Sequence, residues 1–127
     1  MKITGFCPLI VTKDPEATVK VFEELGFERR HTKKDIEDGT VTSYAMKDQN
    51  GFRINIAASD NMEKDLTSMS VNVDNFQEAY DFLISKGFVN PRGDKVTDTS
   101  SSRATMLISP SGFPITISEH IKKENRA

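Results

Sequence analysis

The chain has 127 residues, 36% of them hydrophobic and 28% charged, with a formal net charge of -2 and a pI near 5.7. That length and balance suit one soluble domain, or two tightly fused half-domains, with an ordinary buried core. The charge leaves no basic field for nucleic acid or acidic lipid, and no apolar run approaches a membrane span or a signal core.

Residues 3–12 read as a strand. Asp14 follows as a helix N-cap with Pro15 at the first helical position, because Asp can satisfy a free backbone N–H and Pro has none to leave unpaired. The helix presents Ala17, Val21, Phe22 and Leu25 on one face and stops at Gly26. Strands are expected over 27–34, 40–47 and 51–58, separated by Asp/Gly and Asn/Gly turns at 35–39 and 48–51. A polar linker at 59–65 leads to a strand over 66–73. Asp74 and Asn75 then open a second helix with an amphipathic stripe of Phe76, Ala79, Tyr80 and Leu83, ending at Gly87. A weaker strand begins at Phe88, a loop covers 90–102, strands span 103–109 and 112–118, and a charged tail frays from Lys122.

The second half repeats the first at an offset of 61 residues. Gly26-Phe27 maps onto Gly87-Phe88, and Gly51-Phe52-x-Ile54-x-Ile56 maps onto Gly112-Phe113-x-Ile115-x-Ile117. Each half therefore reads β-α-β-β-β, with module 1 at about 1–59 and module 2 at about 66–121 of a single 1–127 domain. One helix cannot cover a sheet of four strands well, so the modules are expected to pair.

These elements resemble the vicinal oxygen chelate (VOC) superfamily, which includes glyoxalase I, extradiol dioxygenases and the bleomycin- and fosfomycin-resistance proteins. The resemblance is carried by Asp14-Pro15-Glu16-Ala17 leading to Leu25-Gly26-Phe27, by Asn72-Val73-Asp74-Asn75 leading to Lys86-Gly87-Phe88, and by the closing elements Asp48-Gln49-Asn50-Gly51-Phe52 and Ser109-Pro110-Ser111-Gly112-Phe113. It implies an α+β fold of two tandem βαβββ modules whose curved mixed sheets surround a shared cup, with helices on the outer faces. In the enzymes of that superfamily the metal ligands come from the first and last strands of each module. Those positions fall here on Cys7, Asn55, Ser68 and Thr116, and the offset of 61 relates the two halves of the set. Neutral amides and alcohols hold Zn²⁺, Ni²⁺ or Fe²⁺ poorly, and one thiolate cannot make such a site alone. No metal and no cofactor are expected.

Alternation along the strands separates two faces. Phe52, Ile54, Ile56, Phe113, Ile115 and Ile117 should pack against the helices, as should Met69, Val71 and Val73. Arg53, Asn55, Ala57, Pro114, Thr116 and Ser118 point the other way with Ser68, Ser70 and Asn72. The cup is thus polar and largely uncharged, with Arg53 its clearest cation and Tyr44 and Met106 on its floor. Cys7 reads as a buried, inert thiol in a reducing cytosol rather than a nucleophile. His31 reads as part of a solvated strand edge among Arg29, Arg30, Lys33 and Lys34. His120, just past the last strand, either projects toward the cup mouth or starts the tail. The loop 97–102 is a lid or a plain connection.

The expected function is that of a metal-free, small-molecule-binding protein resembling the bleomycin-resistance branch, cytoplasmic and homodimeric, with no nucleic-acid or membrane partner. It would hold a polar ligand through Cys7, Tyr44, Arg53, Asn55, Ser68, Ser70, Asn72, Met106, Thr116 and His120. Two alternatives stay open: a glyoxalase- or dioxygenase-like enzyme with an atypical or metal-independent site, and a dimerisation module.

Overall fold

Ten elements follow one another in a computed structural model that describes residues 1–34, 41–59, 63–98 and 102–120. They are β1 (Ile3–Thr12), α1 (Pro15–Glu24), β2 (Glu28–Lys34), β3 (Val41–Lys47), β4 (Arg53–Ala58), β5 (Leu66–Val73), α2 (Phe76–Ser85), β6 (Thr97–Asp98), β7 (Ser102–Ile108) and β8 (Pro114–His120). The fold is α+β, two βαβββ modules in tandem. It divides into two compact units, Cys7–Thr67 and Met1–Phe6 with Ser68–Ala127. The expected turn at 35–39 and the tail from Lys122 lie outside the described residues.

In the unit Cys7–Thr67 the strands lie in the order β2-β3-β4-β1, with β1 parallel to β4 and the other pairs antiparallel. The β3–β4 hairpin is closed by Asp48, whose carboxylate accepts the N–H groups of Asn50 at 3.0 Å and Phe52 at 2.8 Å. Gly51 takes φ 90° in that turn, a conformation open to residues without a Cβ. At the start of α1 the Asp14 side chain accepts the Ala17 N–H at 3.1 Å, as the N-cap signal predicts.

The buried face of α1 differs from the expected one. Val19 is completely covered and packs with Tyr44, Met46, Ile54 and Ile56, and Phe22, Phe27 and Ile10 pack around them. Ala17 is exposed, as are Val21 and Leu25, so the stripe is rotated about the helix axis. Full burial of a side chain such as Ile56 stabilises by about 1.5–3 kcal/mol, and Phe22 adds an edge-to-face contact to Phe27, with ring centroids 5.6 Å apart.

The other unit orders its module-2 strands β5-β8-β7-β6, with β5 parallel to β8. Here the expected stripe holds: Phe76 and Ala79 are buried with Val73, Leu107 and Ile117, and Tyr80 and Leu83 pack against them. Asn75 caps α2 by accepting the Glu78 N–H at 3.1 Å. Glu119 on β8 accepts the Phe76 N–H at 2.6 Å, tying the helix start to the sheet. Arg103, opposite Glu119 in the register, lays its guanidinium 4.9 Å from the centroid of the Phe76 ring.

Four further expectations change. Phe52 and Phe113 are 66% and 45% exposed, because each sits beyond its helix-covered cluster, next to the turn that opens the closing strand. At Phe88 there is no strand, only a bridge from Val89 to Ile108. The stretch read as a loop contains β6, whose Thr97 and Asp98 pair with β7, so the described part of the supposed lid is a sheet edge. Finally, β8 runs two residues further than expected, so His120 is its last residue and not the start of a tail.

Candidate functional site

Each unit presents one sheet face away from its helix, and the sequence-selected residues distribute over those two faces. In the unit containing module 2, three neighbouring strands set the face. Ser70 lies beside Thr116 and Asn72 beside Ser118 across β5–β8. Across β8–β7, Thr116 lies beside Met106, Ser118 beside Ala104 and His120 beside Ser102. The face opposite Val71, Val73, Ile115 and Ile117 therefore carries four hydroxyls and one amide, with Met106, Ala104 and His120 beside them. It carries no Asp, Glu, Lys or Arg among the residues just named.

Hydrogen bonds organise these groups in pairs. The hydroxyls of Ser68 and Thr116 bond to each other at 3.0 Å. Ser118 donates its hydroxyl to Oδ1 of Asn72 at 2.6 Å. On the other side Asn72 rests against the backbone of Gly5: a Cβ there would stand 2.9 Å from its Nδ2. Gly5 thus permits a close approach that alanine would obstruct. Ser68 and Ser70 are almost fully covered, whereas Asn72, Met106, Thr116 and Ser118 are half-buried and His120 is exposed. Hydroxyls that already have one partner keep further donor and acceptor capacity, since each oxygen has one proton and two lone pairs.

The helix-free face of the unit Cys7–Thr67 is set by the pairing of Asn55 with Leu9 on β1 and Ala45 on β3. Cys7, two residues before Leu9, shares it and is half-buried. Arg53 does too, and its register partner is Lys47. Tyr44 does not. It pairs with Ile56, belongs to the buried cluster under α1 and donates its hydroxyl to Glu16, so it cannot floor a cup on the opposite face. Met106, by contrast, lies on the polar side as expected. His31 pairs through its backbone with Ala45.

The four positions aligned with metal ligands thus occur as Cys7 with Asn55 on one unit's face and Ser68 with Thr116 on the other's. The second pair fits a metal poorly: two neutral hydroxyls bonded to each other are not the thiolate, imidazole or carboxylate that a transition metal selects. Among the described residues no group of three or more His, Cys, Asp or Glu is placed to hold a metal ion. No helix among them is long and apolar enough to cross a membrane.

Two participants escaped the sequence reading. Ser118 was placed on the polar face, but its bond to Asn72 depends on the parallel β5–β8 register, which the sequence does not display. In the sequence Lys47 reads only as a strand end; the length of the 48–52 turn, which sets it opposite Arg53, is the signal that marks it.

No protein-family model and no curated protein matches the chain. Solved structures do. Methylmalonyl-CoA epimerase from Mycobacterium tuberculosis superposes with a TM-score of 0.69 at 16% identity, covering 98% of this chain and 93% of that one. A glyoxalase/bleomycin resistance protein/dioxygenase superfamily member from Vibrio splendidus 12B01 gives 0.59 at 11% identity, over 93% and 99%. The chain has the vicinal oxygen chelate fold. Glyoxalase I from Zea mays shows it again, with a TM-score of 0.64 at 14% identity over 93% of this chain and 43% of that longer one. Identities this low establish the vicinal oxygen chelate fold and leave the chemistry to the residues.

Proposed function

We propose that this chain is a metal-free small-molecule-binding protein of the vicinal oxygen chelate fold, acting as a homodimer and holding a polar ligand without turning it over. The observation that carries this reading is the Ser68–Thr116 hydroxyl pair, at 3.0 Å, on strands whose equivalents in the metal enzymes supply ligands. Alcohols of this kind bind a ligand by hydrogen bonds and supply neither a Lewis-acid site nor a base of useful strength at neutral pH. Asn72, Thr116 and Ser118 are the contacts, with Met106 as the apolar patch beside Thr116 and His120 at the rim. The bleomycin-resistance branch, which the sequence resembles, is an analogue in kind.

The test combines metal analysis with thermal-shift screening of protein purified without chelator, against a panel of neutral and anionic metabolites. A ligand of the native state raises the melting temperature by mass action. We expect substoichiometric transition metal and at least one stabilising compound whose effect disappears in Thr116→Val and Ser118→Ala while their circular dichroism stays unchanged. One tightly held transition ion per chain would overturn the reading, and so would a ligand response that both variants retain.

A further inference from the structure

We propose that Lys47 and Arg53 form a clamp for a small oxyanion group, carboxylate or phosphate, on the helix-free face of the β3–β4 hairpin. The two residues are direct register partners in an antiparallel pair. Their side chains point away from α1, because the alternate positions Tyr44, Met46, Ile54 and Ile56 are the ones buried beneath it. Like charges placed directly opposite on a sheet repel and destabilise it. A sequence normally relieves such a pair with a neighbouring carboxylate.

Here that relief is missing. Among the described residues, neither Lys47 nor Arg53 takes part in an ion pair. The carboxylate next to Lys47 in the register is Glu28, on β2, and it is engaged with Arg30 at 3.4 Å. Across β2, β3 and β4 the row therefore ends in two adjacent cations whose natural counter-ion already has a partner. Asn55 follows two positions after Arg53 on the same face, about 6.5–7 Å further along the strand, and adds an amide N–H₂ donor.

The three groups have complementary chemistry. A guanidinium fork donates two parallel N–H bonds to the two oxygens of one carboxylate or phosphate edge, while the ammonium supplies a point charge at the side. An anion held between them replaces repulsion with two attractions. The clamp deepens the ligand-binding reading above, on which it rests for the remainder of the ligand, by giving the bound molecule a negative end.

The experiment is a thermal-shift titration with inorganic phosphate and, separately, malonate, at ionic strength held constant with chloride. The wild-type protein should give a saturable rise in melting temperature with at least one of them. A response to phosphate alone or to malonate alone identifies which oxyanion the clamp prefers. Lys47→Gln and Arg53→Gln should each weaken that response about tenfold, as loss of one charge-assisted hydrogen bond does. Without anion, both variants should melt at or above the wild-type temperature, because the repulsion is gone. Thr116→Val should keep the oxyanion response, which separates the clamp from the hydroxyl face. A wild type indifferent to both anions, or variants that respond as it does, overturns the clamp as two merely solvated cations. Loss of every panel ligand with the oxyanion response intact would instead remove the hydroxyl-face reading and leave the clamp standing.

Discussion

Tyr44 shows how much one residue's placement turns on a single register step. Its phenol reaches Glu16, and Arg29 lies over its ring at 5.1 Å while bonding Glu16 at 3.1 Å and Glu23 at 3.3 Å. The hydrogen bond from Tyr44, more than the Arg29 charge, holds the Glu16 carboxyl below its ordinary value; the same bond, together with burial, raises the phenol of Tyr44. A carboxylate whose folded pKa is depressed contributes stability above its unfolded value, here near 4.5, and loses it as the pH falls through the folded one. Tyr44→Phe should therefore destabilise the protein at pH 7, and the gap to wild type should narrow as the pH falls below 4.5, as urea denaturation at pH 7 and pH 3 would show. Alternation alone identified Ile54 and Ile56 as inward. It could not decide the side of Tyr44, because that depends on how many residues the 48–52 turn consumes.

At the scale of elements, the two helices differ in how openly they declare their buried side. In α2, Gln77, Glu78 and Asp81 interrupt the first turns, so Phe76, Ala79, Tyr80 and Leu83 form one stripe, and the structure has it, with Phe82 and Ile84 left exposed. In α1, Ala17, Val19, Val21, Phe22 and Leu25 spread around the axis, and two stripes fit equally well until a sheet is present to choose. Tertiary packing chose Val19. Val19→Ala should consequently cost about 1.5–3 kcal/mol, and Val21→Ala, at a position 54% exposed, less than about 0.5 kcal/mol; equal losses in chemical denaturation would contradict the rotated face. The short β6 was illegible for another reason. Thr97 and Asp98 bury nothing and pair only at an edge, so no hydrophobic period marks them. On the candidate site, strand alternation brought Ser68, Ser70, Asn72 and Thr116 to one face, whereas the hydrogen-bond partners needed the cross-strand register.

For the molecule as a whole, the repeat made the βαβββ order readable in the first half and all of the second but β6, since the N-cap, the glycine that ends each helix and the closing strand recur 61 residues on. The repeat does not reveal that β1 serves two masters. Residues 1–6 belong with Ser68–Ala127 and residues 7–12 with the remainder of the first module. The Lys2 N–H reaches Asp74 Oδ1 at 2.6 Å, the Asp74 N–H returns to the Lys2 carbonyl at 3.0 Å, and Gly5 backs Asn72. Fragments 1–65 and 66–127, produced separately, should each lack a cooperative melting transition and should regain one when mixed; a stable, monomeric 66–127 would refute this.

That shared opening strand has a consequence for trimming the chain. Because residues 1–6 belong with the unit that resumes at Ser68, clipping the N-terminus would strike the later half of the sequence before the earlier one.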